Sequence, residues 1–385
     1  MKTKRHRLFM FHGLNDKQAR NLLIFDLIRK RGVISRTEIS KITGVNIVSV
    51  SNYINNYLAK KLVLDKGLAV SSGGRKPELV ELNTRDNFVI GVDASGDEIR
   101  VVLADIGMKV IEKRVSDKAR GKEISSVVVD LIEDVRAAAG LDIAKVKAAG
   151  VGISDSALAG LCAAIEKEFG IQAFAGGVAS CAAYAEKRLN PNVSASSLLY
   201  MHSDIGRGIM ISGDICFGSP DGDGAMESAD EKITKGNGPD MLKYMRPWDE
   251  YLGMARTAQR EVSKGIGTKM VSLAKGDIRN ITEDVVIEAA RQNDEVALNI
   301  VQSVGINLGL RTAFLMNLFT PEAVVVGGGP EKAGGIIFTP IEKMVSRLSF
   351  GKLAPNVKIV PGSLGDEAVV LGAASLAVRE MFLQA

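Results

Sequence analysis

The residue types able to do chemistry fall into two groups. Asn46, Ile47, Val48, Ser49 and Asn52 lie within seven positions, and Gly74, Arg75 and Lys76 stand in a short basic stretch, Ser71-Ser-Gly-Gly-Arg-Lys-Pro. Short amides and hydroxyls reach base edges, branched aliphatics touch a thymine methyl, and cations on a glycine-rich tip suit a phosphate or a narrow minor groove. Arg36 adds a further cation nearby. The second group is a set of segments bearing glycine or aspartate: Asp93-Ala-Ser-Gly-Asp97, Asp155, Gly176-Gly177 and Gly327-Gly328-Gly329. Three histidines (His6, His12, His202) and three cysteines (Cys162, Cys181, Cys216) are scattered. They form no catalytic constellation and have no metal-ligand spacing, so no structural zinc and no cofactor is expected.

The first group needs a frame. Residues 16–30 place apolar residues at helical spacing, and Gly32 ends that helix. A short extended piece, Val33-Ile34, comes next. Ser35 with Glu38 three positions on predicts a capping box at the start of a second helix, Arg36 to Ile42, that stops at Gly44. Asn46 can cap a third helix running to about Lys60, with Val50, Ile54, Tyr57 and Leu58 facing inward. Helix, four-residue turn, helix is helix-turn-helix spacing. Leu62–Asp65 and Gly67–Val70 read as two strands leading to the basic tip, which makes the module a winged helix-turn-helix. Its charge agrees. Residues 1–85 carry 17 Lys+Arg against 6 Asp+Glu, whereas the rest of the chain holds 32 against 39. A basic module on an acidic body suggests a polyanionic partner, double-stranded DNA.

The remaining residues must build the second frame. The chain has 385 residues and is 46% apolar, enough for two or three domains with buried cores. The absence of low-complexity tracts argues against wholesale disorder, and no apolar run reaches the ~18 residues of a membrane span. A basic start followed by a short apolar patch is no secretory signal, so a cytoplasmic location is expected. From residue 85 strands alternate with helices, which predicts an α/β fold. The strands Phe88–Asp93, Glu98–Asp105 and Lys109–Lys113 form a meander. A helix near 124–139 and a strand at 148–154 follow. A hairpin at 197–202 and 208–213 opens a second half with helices around 249–265, 282–292 and 294–318. The strands 323–326 and 357–360 and a last helix from about Asp366 complete it. Two halves that each open with a meander suggest the duplicated, actin-like ATPase architecture.

Ser35-Arg-Thr-Glu-Ile, Ser72-Gly-Gly-Arg-Lys-Pro, Pro321-Glu-Ala-Val-Val-Val-Gly-Gly-Gly and Leu371-Gly-Ala-Ala carry a specific resemblance. On these motifs the chain resembles the ROK family (repressors, open reading frames, kinases), in its winged-helix transcriptional regulator branch. The resemblance implies three parts: a DNA-binding domain at 1–84, a first lobe at 85–178 completed by about 366–385, and a second lobe at 179–365. It also implies a sugar-kinase site, from which this chain departs. The family's Asp-x-Gly-Gly-Thr phosphate turn reads Asp93-Ala-Ser-Gly-Asp97, with a carboxylate in place of the hydroxyl. The Glu-Asn-Asp sugar triplet falls at Ala175-Gly176-Gly177, so its general base is missing. The sugar loop after Ile153 is shortened around Asp155. The zinc cysteines are replaced across Ile233 to Asp240. Gly327 to Gly329 remain, serving either a nucleotide or simply a tight turn.

The expectation is therefore a DNA-binding transcriptional regulator, a repressor of carbohydrate-related genes, with a catalytically dead body. It would act as a homodimer or dimer of dimers, because one helix-turn-helix reads only a few base pairs. Two alternatives stay open: an active sugar kinase or bifunctional kinase-repressor, and a regulator sensing a protein partner or non-sugar ligand.

Overall fold

The computed structural model of the chain describes residues 14–68, 77–95, 98–117, 123–153, 160–193, 195, 197–202, 206–211, 214–215, 253–349 and 357–385. These residues divide into two compact units, one formed by 1–176 with 369–385 and the other by 177–368.

The first unit begins with α1 (Asp16–Arg31), β1 (Ile34–Ser35), α2 (Arg36–Thr43) and α3 (Ile47–Ala59), followed by β2 (Val63–Leu68) and β3 (Glu78–Leu82). The three strands form one antiparallel sheet in the order β1-β3-β2. Two sequence expectations are corrected here. Leu62–Asp65 and Gly67–Val70 are not separate strands. The chain runs extended through 63–68, because Asp65 Oδ1 accepts the Gly67 amide at 2.8 Å and Gly67 takes φ 78°, which makes an irregularity in register rather than a reversal. The partner strand lies beyond the basic tip, at 78–82. On α3 Tyr53 joins Val50, Ile54 and Tyr57 on the buried face, and Leu58 is half-buried.

The rest of this unit is a five-stranded sheet in the order β6-β5-β4-β7-β8, built from β4 (Phe88–Asp93), β5 (Glu98–Asp105), β6 (Val110–Asp117), β7 (Val146–Ile153) and β8 (Gln172–Gly177). The meander is antiparallel, and β7 joins β4 in parallel. Helices α4 (Ile124–Ala138) and α5 (Gly160–Phe169) supply Val128, Ile132, Val135 and Ile165 to its core. The C-terminal helix, Ala368–Leu383 (α12 in the numbering completed below), crosses this sheet. It comes so close that a Cβ on Gly91 or Gly150 would overlap the backbone oxygen of Val370 or Ala373. Glycine there is a packing requirement.

The second unit starts with α6 (Val178–Leu189) and the strands β9 (Leu198–His202), β10 (Gly206–Ile211) and β11 (Asp214–Ile215). The helices α7 (Met254–Ser263), α8 (Lys269–Leu273), α9 (Glu283–Arg291) and α10 (Glu295–Phe319) follow. The unit closes with β12 (Ala323–Gly327), α11 (Gly335–Leu348) and β13 (Lys358–Pro361). Its sheet order is β11-β10-β9-β12-β13, with β12 parallel to both neighbours. The helices β8-to-β9 and β12-to-β13, α6 and α11, carried no expectation from the sequence. The predicted helix 249–265 is shorter, starting at Met254. Gly305 and Gly309 let α10 and α11 touch: an added Cβ would stand 2.8 Å from the backbone oxygens of Ile337 and Ile341. Among the described residues, no helix is long and apolar enough to cross a membrane.

Candidate functional site

The helix-turn-helix is held by local polar bonds. Ser35 and Glu38 make the capping box, with Ser35 Oγ accepting the Glu38 amide at 3.2 Å and Glu38 Oε2 accepting the Ser35 amide at 3.0 Å. The Ser35 hydroxyl, donating to Glu38 Oε2 at 2.7 Å, and then the Ser35 amide hold the Glu38 carboxyl below its ordinary range. Gly44 ends α2 in the left-handed region (φ 69°), where a side chain would be strained. Ser40 Oγ then donates to the Val45 carbonyl at 2.7 Å, and buried Val45 anchors the turn. Asn46 Oδ1 accepts the Ser49 amide at 2.8 Å and caps α3. Tyr53 Oη and Tyr57 Oη donate to the carbonyls of Lys17 and Asn21 at 3.0 and 2.9 Å, fixing α3 against α1.

This scaffold presents the predicted residues as one surface. Asn46, Ile47, Val48 and Asn52 are exposed and Ser49 is half-buried at the start of α3. Val48 is 68% exposed and Ile47 beside it 45%, so two adjacent branched aliphatics face solvent at the start of α3. Arg36 stands differently. Its Nη1 donates to Asn55 Oδ1 at 2.9 Å and its Nε lies 3.2 Å from Glu78 Oε2, so it braces α2, α3 and β3. Gly74, Arg75 and Lys76 lie outside the described residues.

The predicted ligand residues fall in both units and are described within each. In the first, Asp93 is buried at the end of β4, in register with Gly152. Its Oδ1 accepts both the amide and the hydroxyl of Ser95, at 3.0 and 2.6 Å, so the carboxylate closes its own turn. Gly176 lies near the end of β8. Asp97, Asp155 and the former zinc stretch Ile233 to Asp240 lie outside the described residues, as does Trp248. Cys162 is pushed up to about 11 by burial and by Glu166, so its thiol stays protonated and unreactive at neutral pH.

In the second unit, Gly177 is the N-cap of α6 and offers no side-chain group there. The turn Gly327-Gly328-Gly329 has φ of 81° and 120° at its last two positions. A Cβ on Gly327 would overlap the buried Tyr200 phenol, and one on Gly329 the Glu283 carboxylate. The Gly329 amide donates to Glu331 Oε2 at 2.8 Å. Burial raises the Glu331 carboxyl, with Asp366 adding to the rise. A nucleotide phosphate brought to this amide would have to displace one carboxylate and approach another. Tyr200 and Glu283 account for the glycines at 327 and 329, and the positive φ accounts for Gly328.

Residues 260–380 match the profile described as "ROK family". The chain carries a ROK family domain. The chain is 25% identical over 391 residues to the xylose repressor of Caldicellulosiruptor bescii, covering 95% of this chain and 96% of that one. Its fold matches a ROK family transcriptional regulator, a homologue of the E. coli MLC protein, with a TM-score of 0.69 at 20% identity over 95% of this chain and 96% of the other. It also matches a ROK family glucokinase from Streptomyces griseus, solved with glucose and AMPPNP. There the TM-score is 0.62 at 23% identity, over 76% of this chain and 99% of the kinase. The ROK fold thus carries both regulators and kinases, and the residues in each site have to distinguish them.

Tyr53 and Glu331 were not singled out in the sequence, whereas Asn55, expected to face outward with Asn52, is held by Arg36. Tyr53 follows α3's helical period and could have been found. Glu331 could not, because only the fold brings its carboxylate back onto the Gly329 amide.

Proposed function

We propose that this chain is a DNA-binding transcriptional regulator, a repressor of carbohydrate-related genes acting in the cytoplasm, whose ROK body does not phosphorylate sugars. The observation that carries the reading is the start of α3. There a rigidly capped helix exposes Ile47, Val48 and Asn52 beside Asn46 and Ser49, a combination suited to base edges and thymine methyls. The names of full-length relatives support it, since the xylose repressor aligns from end to end. The wing cations Arg75 and Lys76 supply phosphate contacts in this reading, and Arg36 supports α3 rather than touching DNA.

The non-enzymatic part rests on chemistry. Phosphoryl transfer needs an acceptor for the hydroxyl proton and a cradle for phosphate charge. Gly177 supplies no acceptor, Asp93 is engaged by Ser95, and the Gly329 amide is engaged by Glu331. The body is then left with signal reception and assembly into a dimer or dimer of dimers. The effector is a carbohydrate-derived molecule other than a simple hexose in the first case, and a protein partner or non-sugar ligand in the second.

The test is selection of bound duplexes from a random pool by the full-length chain, followed by anisotropy titration at several salt concentrations. A recurring, two-fold symmetric sequence is expected. Arg75→Ala should weaken binding evenly across sequences and flatten the salt dependence by about one phosphate contact. No binding to any duplex at low salt would reject the function.

A further inference from the structure

Within the first unit, the helix-turn-helix is joined to the β4–β8 sheet without slack. The chain leaves α3 through Lys61, a non-glycine residue with φ 55° whose amide donates to the Leu58 carbonyl at 3.0 Å. Such a backbone persists where its surroundings fix it. Two buried asparagines do so here. The Lys61 carbonyl accepts Asn83 Nδ2 at 3.0 Å and Asn87 Nδ2 at 2.9 Å, and each asparagine is only 2% exposed. Asn87 Nδ2 also donates to the Asn83 carbonyl at 2.9 Å, so both of its hydrogens are engaged. The Asn83 amide donates to the Leu62 carbonyl at 2.9 Å, and the Ile106 amide to the Asn87 carbonyl at 3.2 Å. These bonds tie the end of α3 to the turn after β5. Residues 83–87 contain neither glycine nor proline, and the C-terminal helix adds a second attachment through Phe382 against Phe25 and Tyr57.

We propose that Asn83 and Asn87 are positioning residues for DNA recognition, which fix the angle of α3 to the β4–β8 sheet and thereby select the spacing of the half-sites. The proposal rests on the DNA-binding reading. Helix α3 is a lever on this joint, with the joint at its C-terminal end and the exposed Asn46, Ile47, Val48 and Asn52 at its start. Its 13 residues span about 20 Å at ~1.5 Å per residue. A swing of about 10° at the joint would carry the reading end by about 3.4 Å, which is one base-pair step. A flexible tether would let each module find its half-site independently and accept many spacings. A joint with less slack than one step accepts one. Asparagine suits the task because a buried amide that loses its partners is costly, so each holds its carbonyl in place.

Two measurements on the full-length chain test this. In the first, spin labels at Thr37→Cys on α2 and Val115→Cys on β6, both exposed, report the distance between module and sheet in a Cys162→Ser, Cys181→Ser, Cys216→Ser background. One narrow distance is expected, and Asn83→Ala or Asn87→Ala should at least double its width. In the second, duplexes carrying the selected half-site twice, at spacings one base pair apart, compete for the protein. The native chain should prefer one spacing at least tenfold over its neighbours. Either alanine variant should cut that preference at least threefold while favouring the same half-site bases. Asp86→Ala, which removes only the exposed ion pair to Lys145, should change neither readout. If Asn87→Ala melts early, Asn87→Ser replaces it, with the same broadening expected. A broad distance in the native chain overturns the proposal, as does affinity lost equally at every spacing while the distance stays narrow. A chain that ignores every duplex, yet whose variants broaden the distance, upholds the joint and sinks the DNA reading instead.

Discussion

The rings of Phe25 and Phe382 stack with centroids 3.9 Å apart and planes 23° from parallel. One belongs to the first helix of the DNA-binding module and the other to the last turns of the chain. Tyr57 meets the same Phe382 ring edge-on at 5.0 Å, and Asn21 Nδ2 donates to the Phe382 carbonyl at 2.6 Å. The C-terminal helix thus packs on the five-stranded sheet at Gly91 and Gly150 and, at its other end, completes the core of the helix-turn-helix.

Removing that ring should therefore be costly at a distance from any base contact. Phe382→Ala is expected to lower stability by about 3–5 kcal/mol, the usual cost of truncating a buried phenylalanine. Phe382→Leu should lose under ~1.5 kcal/mol. Urea unfolding followed by circular dichroism measures both. DNA affinity should fall with Phe382→Ala although no DNA-facing residue changes.

The start of α3 separates recognition from folding. Asn52 is exposed within the helix, so Asn52→Ala should relax sequence discrimination by about 1–3 kcal/mol and leave the melting temperature nearly unchanged. Asn46 also caps the helix, so Asn46→Ala should add about 1 kcal/mol of lost stability to any loss of discrimination. Paired melting curves and competition titrations distinguish the two. Equal loss of stability in both variants would count against this division.

The protein should not transfer phosphate from ATP to glucose or related hexoses, and titration calorimetry with those sugars should give no heat. Loss of a general base alone typically costs about 10²–10⁴-fold. Gly177→Asp should not restore turnover, because the Asp93 and Gly329 positions remain unsuited to phosphate. A coupled assay over a hexose panel, with and without zinc, checks this. Turnover abolished by changing Asp93 would refute it.

Asp294 predicts an acid-sensitive joint in the second unit. Burial would raise its carboxyl, but bonds from the Ala297 amide (2.9 Å), the Lys269 amide (2.8 Å) and the Thr268 hydroxyl (2.9 Å) outweigh burial and lower it. A lowered native pKa means stability that is present above the ordinary aspartate range of about 3.9 and lost as pH falls through the depressed value. Asp294→Ala should cost about 1–3 kcal/mol at neutral pH and flatten the acid limb of the stability curve. Melting temperatures from pH 7 down to 3 show whether it does.

Local rules made the DNA-binding module legible in the sequence. The Ser35–Glu38 box, the Gly44 stop and the Asn46 cap each act within a few residues, so their partners are adjacent in the chain. The strand and helix periods did the same for β4, β5, β9, β12 and α10, while the departures at Gly177 and Asp97 were legible only against the family pattern that the chain resembles. Other features depend on contacts that no local pattern encodes. The wing's true partner strand lies beyond a tip that spacing cannot bridge, so β2 and β3 are paired only by the sheet. Arg36 looked like a free cation until Glu78 and Asn55 were brought beside it. The Gly329 amide looked open to phosphate until the fold turned Glu331 back onto it and set Glu283 alongside. Phe382 had no assigned role until α12 crossed the sheet and carried it to Phe25, 357 positions earlier in the chain. The sequence by itself determined where the helices of the helix-turn-helix start and stop, because short-range hydrogen bonds decide those. Tertiary structure decided which polar groups are left to meet a ligand, because burial and long-range pairing set what each charge and amide has already bound.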